Sequence, residues 1–226
     1  MTAPRPAATG HLDARPRPGP AGPPLPAGVS RLELGPGVEV LVDVPIERPE
    51  PGPVLVFCHG AGGDASASLR LVAGEAAAHG VVVVAPSSAA STWDLVAGGL
   101  GRDVAVIDAA LAEVFARTPA DRVALAGFSD GASYALSLGV ANGELFGSVL
   151  GFSPGFLAPP GQEGRPRVWI SHGTEDRVLP IDRCGRQVVR QLGEAGYDVT
   201  YDEFDGGHVV RPSGVIDALD WWLGPA

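Results

Sequence analysis

The sequence predicts an α/β domain built on a mostly parallel, twisted sheet with helices on both faces. Three observations carry this expectation. Apolar runs such as Val54-Leu55-Val56-Phe57, Val81-Val82-Val83-Val84 and Val149-Leu150-Gly151-Phe152 lack polar alternation, which marks strands buried on both sides. Segments with apolar residues at helical spacing separate these runs. Glycine-rich loops come after the strands, at the end of such a sheet where ligands collect.

In chain order, Met1 to Ser30 hold eight prolines among Ala, Gly and Arg, so residues 1–30 read as a tail with few large side chains to bury. Arg5, Arg15 and Arg17 make it positive. Residues 31–226 form the domain. Arg31 to Val44 places Leu32, Leu34, Val38, Val40 and Val42 around Gly35-Pro36-Gly37, a pattern that predicts a two-stranded antiparallel hairpin. Pro53 to Cys58 is a buried strand that runs into His59-Gly60-Ala61-Gly62-Gly63-Asp64, a loop whose glycines permit close backbone approach to a ligand. Ser66 to His79 has helical composition and ends at Gly80, suited to a left-handed cap. Ala85 to Gly99 is a long connection holding Ser91-Thr92-Trp93-Asp94, and it should border any site at the strand ends. Asp103 to Arg117 spaces Val104, Ile107, Leu111 and Val114 as a helix and stops before Pro119.

The run Asp121 to Ala135 is an apolar strand, then Gly127-Phe128-Ser129-Asp130-Gly131, then a helix. That context suits a nucleophile elbow, where a serine occupies a backbone conformation tolerated only beside small residues. The Asp130 N–H, at the helix start, would face negative charge developing on an attacked carbonyl. A second match, Gly151-Phe152-Ser153-Pro154-Gly155, lacks this chemistry: Pro154 has no N–H, and the residues after Ser153 do not start a helix. Ser153 to Pro166 is too short for a lid domain. Val168 to Ser171 is a strand leading to His172-Gly173-Thr174-Glu175-Asp176, Ile181 to Ala195 a helix, and Val199 to Phe204 the last strand. Asp205-Gly206-Gly207-His208 is a tight loop, and Ser213 to Leu223 closes the chain as a helix.

A net charge of −10 and a pI near 4.8 argue against nucleic acid or an anionic membrane surface as partner. Two cysteines, Cys58 and Cys184, read as small buried side chains without a disulfide between them. No window approaches the roughly eighteen apolar residues of a membrane span, and the N-terminus lacks a signal-peptide core, so a cytoplasmic protein is expected. No His/Cys/Asp cluster has metal-ligand spacing and no Gly-x-Gly-x-x-Gly opens a helix, so neither metal nor cofactor is expected.

Taken together, the motifs resemble the α/β-hydrolase fold, in chain order nucleophile, acid, histidine. More narrowly the sequence resembles the bacterial phospholipase/carboxylesterase group, with its acyl-protein thioesterase-like and polyhydroxybutyrate depolymerase-like esterases. The resemblance covers about Val38 to Leu223 and rests on His59-Gly60-Ala61-Gly62-Gly63, Gly127-Phe128-Ser129-Asp130-Gly131, His172-Gly173-Thr174-Glu175-Asp176 and Gly206-Gly207-His208. It implies Ser129 as nucleophile, His208 as general base and acid, Asp176 as orienting carboxylate, and the Ala61 and Asp130 amides as oxyanion hole. The implied protein is a serine carboxylesterase-type hydrolase acting on a small-molecule ester. The oligomeric state stays open, a homodimer being compatible with the sequence.

Rivals remain for several of these roles. Asp205 is the next candidate acid, and Asp182 falls in a helix's first turn. His59 and His172 come directly after strands, where histidines brace loops by hydrogen bonding more often than they act as bases; His79 ends a helix and His11 lies in the tail. Trp93, Phe152, Phe156 and Leu157 are candidate walls of an apolar acyl pocket, although Trp93 packing beneath its loop is an equal alternative. The Asp130 carboxylate is expected to be solvated or paired with an arginine. The same machinery serves a thioesterase or an acyltransferase, and a non-catalytic ligand-binding protein on this scaffold is the alternative of a different class.

Overall fold

The computed structural model describes residues 6–224; residues 1–5, with Arg5 of the expected tail, and residues 225–226 lie outside the described residues. The strands are β1 (Gly28–Arg31), β2 (Val40–Val44), β3 (Gly52–Cys58), β4 (Val82–Pro86), β5 (Ala120–Phe128), β6 (Ser148–Phe152), β7 (Arg167–Gly173) and β8 (Val199–Phe204). They form one sheet in the order β1-β2-β4-β3-β5-β6-β7-β8. From β4 onward every neighbouring pair is parallel, while β1 and β2 run antiparallel at one edge. The helices are α1 (Ala65–Ala78), α2 (Arg102–Arg117), α3 (Asp130–Ala141), α4 (Gly185–Glu194) and α5 (Pro212–Leu223).

The unalternating apolar runs are explained by where their side chains go. Along β3, Val54, Val56 and Cys58 join a cluster with α2 and α3, whereas Leu55 and Phe57 join one with α1 and α5. Strand β4 divides its valines the same way. With each buried Val or Leu contributing roughly 1.5–3 kcal/mol, the central strands are held from both faces. A third cluster, Leu136 and Val140 of α3 with Val188 and Leu192 of α4, covers β6 and β7. Asp64 caps α1, its carboxylate accepting the Ala67 N–H at 2.7 Å, and Gly80 leaves the helix with φ 67°.

Three features differ from the sequence reading. The hairpin lies earlier than expected: Gly28 pairs with Val44 and Arg31 with Leu41, so β1 uses residues assigned to the tail. Helix α4 starts at Gly185, because residues 181–184 form a turn closed onto the Pro180 carbonyl. The proline-rich segment packs onto the domain. Leu12, Ala14 and Leu25 are buried in the α2–α3 cluster, and the buried Asn142 amide accepts the Leu12 N–H at 2.9 Å and donates to the Gly10 carbonyl at 2.8 Å. Asp108 takes the N–H groups of Asp13 and Ala14, both at 2.8 Å. The segment's prolines confine regular structure to a 3-10 turn at Pro6–Thr9 and to β1, while the extended chain between them is free to bury single side chains.

The 153–166 segment has no helix or strand and lies against α3. There the Ser133 hydroxyl accepts the Gly155 N–H and the Ser137 hydroxyl the Ala158 N–H, both at 2.9 Å.

Candidate active site

Ser129 links the end of β5 to the start of α3 with φ 57° and ψ −119°, a conformation that strains any residue with a side chain. Its neighbours make this turn feasible. A Cβ on Gly127 would lie 2.2 Å from the Gly131 carbonyl oxygen, and one on Gly131 would lie 2.2 Å from that of Cys58. The Ser129 N–H is anchored on the Phe152 carbonyl at 2.9 Å, leaving the side chain raised at the carboxyl edge of the sheet.

Two distant loops converge on that hydroxyl. The His208 Nε2 lies 2.9 Å from the Ser129 Oγ, and its Nδ1 lies 2.6 Å from the Asp176 Oδ2. His208 comes from the β8–α5 loop and Asp176 from the loop after β7. The Asp176 carboxylate is fully buried; its Oδ1 accepts the N–H groups of Val178 at 2.9 Å and Leu179 at 2.8 Å. Burial pushes this carboxyl up, but the N–H donors of Leu179, His208 and Val178 outweigh it and hold the group below its usual range. A second histidine, His172, reaches the same Oδ2 at 3.2 Å.

Opposite the histidine, the β3–α1 loop lies against Ser129: a Cβ on Gly60 would come within 3.4 Å of the Ser129 Cβ. His59 braces this loop. Its Nε2 accepts the Ser88 N–H at 2.9 Å, which leaves Nδ1 to donate to the Gly60 carbonyl at 2.7 Å. The Gly63 N–H reaches the same carbonyl at 3.0 Å. Because a trans peptide is planar, a carbonyl held by two donors turns the Ala61 N–H of that unit the opposite way. The Asp130 N–H belongs to the first turn of α3, where the helix itself offers it no acceptor. The half-buried Asp130 carboxylate accepts from the Thr92 hydroxyl at 2.7 Å and pairs with no arginine among the described residues.

The expected acyl pocket needs correction. Trp93 is fully buried beneath its loop, stacked on Tyr134 at 4.8 Å and donating its Nε1–H to the His59 carbonyl at 2.8 Å. It supports the site from below and forms no wall. Phe152 is buried between Phe57 and Trp169 in the core, because the alternation of β6 turns it into the sheet's packed face. Phe156 and Leu157 are half-buried and line a cavity of about 110 Å³ with Gln187 and Val188. Ser129, Asp176 and His208 do not line that cavity.

The rival candidates are occupied elsewhere. Asp205 is exposed, Asp182 pairs with Arg186 at 2.6 Å, and His79 meets Asp220 at 3.1 Å. Ser153 is fully buried with φ 51°.

The Phospholipase/Carboxylesterase family profile matches residues 104–221, more than half of the 226-residue chain. The chain belongs to the phospholipase/carboxylesterase family. A curated relative, acyl-protein thioesterase 1 of Gibberella zeae, is 30% identical over 113 residues, 46% of this chain and 47% of the relative. The chain thus aligns with about half the length of that relative. Among solved structures, esterase PE8 superposes with a TM-score of 0.65 at 22% identity, covering 87% of this chain and 98% of its own. The carboxylesterase of Bacillus cereus gives 0.61 at 19%, covering 82% and 93%, and acyl-protein thioesterase 2 of Zea mays gives 0.59 at 18%, covering 81% and 96%. The fold is that of the α/β-hydrolases.

Two features of this family member escaped the sequence reading. Val178 and Val209, two residues beyond Asp176 and one beyond His208, stand 66% and 48% exposed, an apolar rim beside the site. Their only sequence signal is proximity to the motifs. The contact of His172 with Asp176 arises from a loop that doubles back, which residue spacing does not reveal. Among the described residues no helix is long and apolar enough to cross a membrane.

Proposed function

We propose that this protein is a serine hydrolase that cleaves carboxylic esters through an acyl-Ser129 intermediate. The observation that carries the reading is the unbroken hydrogen-bonded line from Ser129 through His208 to Asp176, at 2.9 and 2.6 Å, with the serine on a strained elbow. A serine hydroxyl is a weak nucleophile at neutral pH, so it needs a neutral imidazole to accept its proton. In this scheme His208 Nε2 takes that proton as Oγ attacks the ester carbonyl. It then gives the proton to the departing alcohol as the C–O bond breaks. Water, deprotonated by the same nitrogen, attacks the acyl-enzyme and releases the acid and free Ser129. Asp176 keeps the Nδ1–H tautomer and stabilises the imidazolium. The Ala61 and Asp130 amides stabilise the oxyanion of each tetrahedral intermediate.

The test is hydrolysis of p-nitrophenyl esters from acetate to palmitate, with fluorophosphonate labelling of the same preparations. Wild type should turn over at least the short esters and take the label, and Ser129→Ala should do neither. Retention of full activity in Ser129→Ala would sink the assignment. The similarity to acyl-protein thioesterase 1 favours one second reading, a thioesterase with the same residues. Turnover of an acyl thioester well above that of the matching oxygen ester would select it.

A further inference from the structure

We propose that His172 is a positioning residue: its Nε2–H anchors the Leu179 turn that holds the Asp176 carboxylate in the orientation that serves His208. This rests on the roles given above to Ser129, His208 and Asp176.

His172 is the penultimate residue of β7 and its side chain is fully buried. Its Nε2 lies 2.8 Å from the Leu179 carbonyl oxygen and 3.2 Å from the Asp176 Oδ2. Both neighbours only accept, so Nε2 carries a proton. Burial pushes the imidazole down from its usual value, which keeps the ring neutral and Nδ1 bare. That Nδ1 faces Gly185, where a Cβ would come within 2.5 Å, and it has no hydrogen-bond partner among the described residues.

The carboxylate torsion of an aspartate is soft, so hydrogen bonds rather than covalent geometry hold its plane. Asp176 has three hydrogen-bond donors, Val178 and Leu179 N–H on Oδ1 and His208 on Oδ2, and the His172 ring stands 3.2 Å from Oδ2 with its proton on the Leu179 carbonyl. Leu179 ties the set together, giving its N–H to Oδ1 and taking the His172 proton on its carbonyl. Without His172 the Leu179 carbonyl would lose its donor, and the turn that supplies both Oδ1 donors would be free to shift, leaving the carboxylate to His208, the ring that must move charge in every cycle. A neutral ring also anchors this turn without neutralising the nearby carboxylate, so its charge stays available to an imidazolium at His208.

The test has two arms. In the wild type at neutral pH, nitrogen-15 histidine spectra should show His172 as the neutral Nε2–H tautomer; a proton on Nδ1, alone or in a doubly protonated ring, would overturn the proposal. This arm needs no variant and decides the matter if substitutions at the buried site do not fold. In the second arm, His172→Leu should move the His208 Nδ1–H proton resonance and lower kcat roughly 10- to 100-fold, with KM changed less than about twofold because substrate does not touch His172. His172→Gln, which keeps a donor, should recover most of both. An unmoved resonance with unchanged kcat in His172→Leu, or no recovery in a folded His172→Gln, would refute the positioning role. The proton resonance is read on resting protein, so failure of wild type to turn over esters would count against the esterase reading while leaving this test intact.

Discussion

Gly131 packs its α-carbon against the Cys58 carbonyl, so closely that a Cβ would lie 2.2 Å from that oxygen. The first turn of α3 is thereby pressed onto the end of β3, and this contact brings the elbow beside the loop that carries Ala61. Both partners are backbone and neither can yield by changing rotamer. Gly131→Ala should therefore lose about 1–3 kcal/mol of stability, read as a lower urea midpoint, together with most esterase activity. An unchanged midpoint would mean that the elbow is not packed as described.

Ser129 carries its strain at φ 57°. Such a conformation costs of order 1–3 kcal/mol, and glycine relieves it at an unfolded-state entropy penalty of about 0.4–1 kcal/mol. Ser129→Gly should accordingly unfold at a higher temperature than wild type while losing all turnover. A lower melting temperature would show that the serine hydroxyl's bond to His208 outweighs the strain.

Asp176 sits below its usual carboxylate range, so at low pH the unfolded chain binds a proton that the folded protein resists. Its contribution to stability is complete above the unfolded value near about pH 4 and is lost as pH falls through the depressed folded value. The urea midpoint of wild type should drop more steeply below that pH than the midpoint of Asp176→Asn. Parallel pH profiles would remove Asp176 as a source of acid lability. At neutral pH the same variant should lose activity by up to about 10⁴-fold, since an amide favours the wrong imidazole tautomer.

The buried Asn142 amide holds Gly10 and Leu12 of the N-terminal segment. Asn142→Leu leaves both of those backbone groups without their partner, a loss of about 1–3 kcal/mol for each if it stays buried. The segment should then lift, and thermolysin should cut the His11–Leu12 bond, whose leucine is buried in the docked segment, faster than in wild type. Equal cleavage rates would mean that Leu12 and Leu25 alone keep the segment in place.

What the sequence by itself determined is local. A strand buried on both faces announces itself at Val54 to Phe57, and the elbow at Gly127 to Gly131 depends on the small size of residues within two positions of Ser129. The loops holding Ala61, Asp176 and His208 are legible for the same reason: glycine beside a strand end is a backbone requirement written into neighbouring residues. Only the tertiary structure decided matters that join residues far apart in the chain. Trp93 under its loop rather than on a pocket wall, Thr92 on Asp130, Asn142 on Gly10 and the packing of Leu12 each depend on which segments meet. Proline content describes how residues 1–30 cannot fold by themselves, yet it is silent on the α2–α3 cluster that buries Leu12, Ala14 and Leu25. His172 lies between these cases, for its place at a strand end is readable while its bond to the Leu179 carbonyl and its approach to Asp176 exist only because the loop turns back on the strand. Local conformation is set by neighbouring side chains, whereas burial and hydrogen-bond partners are set by the whole chain's packing.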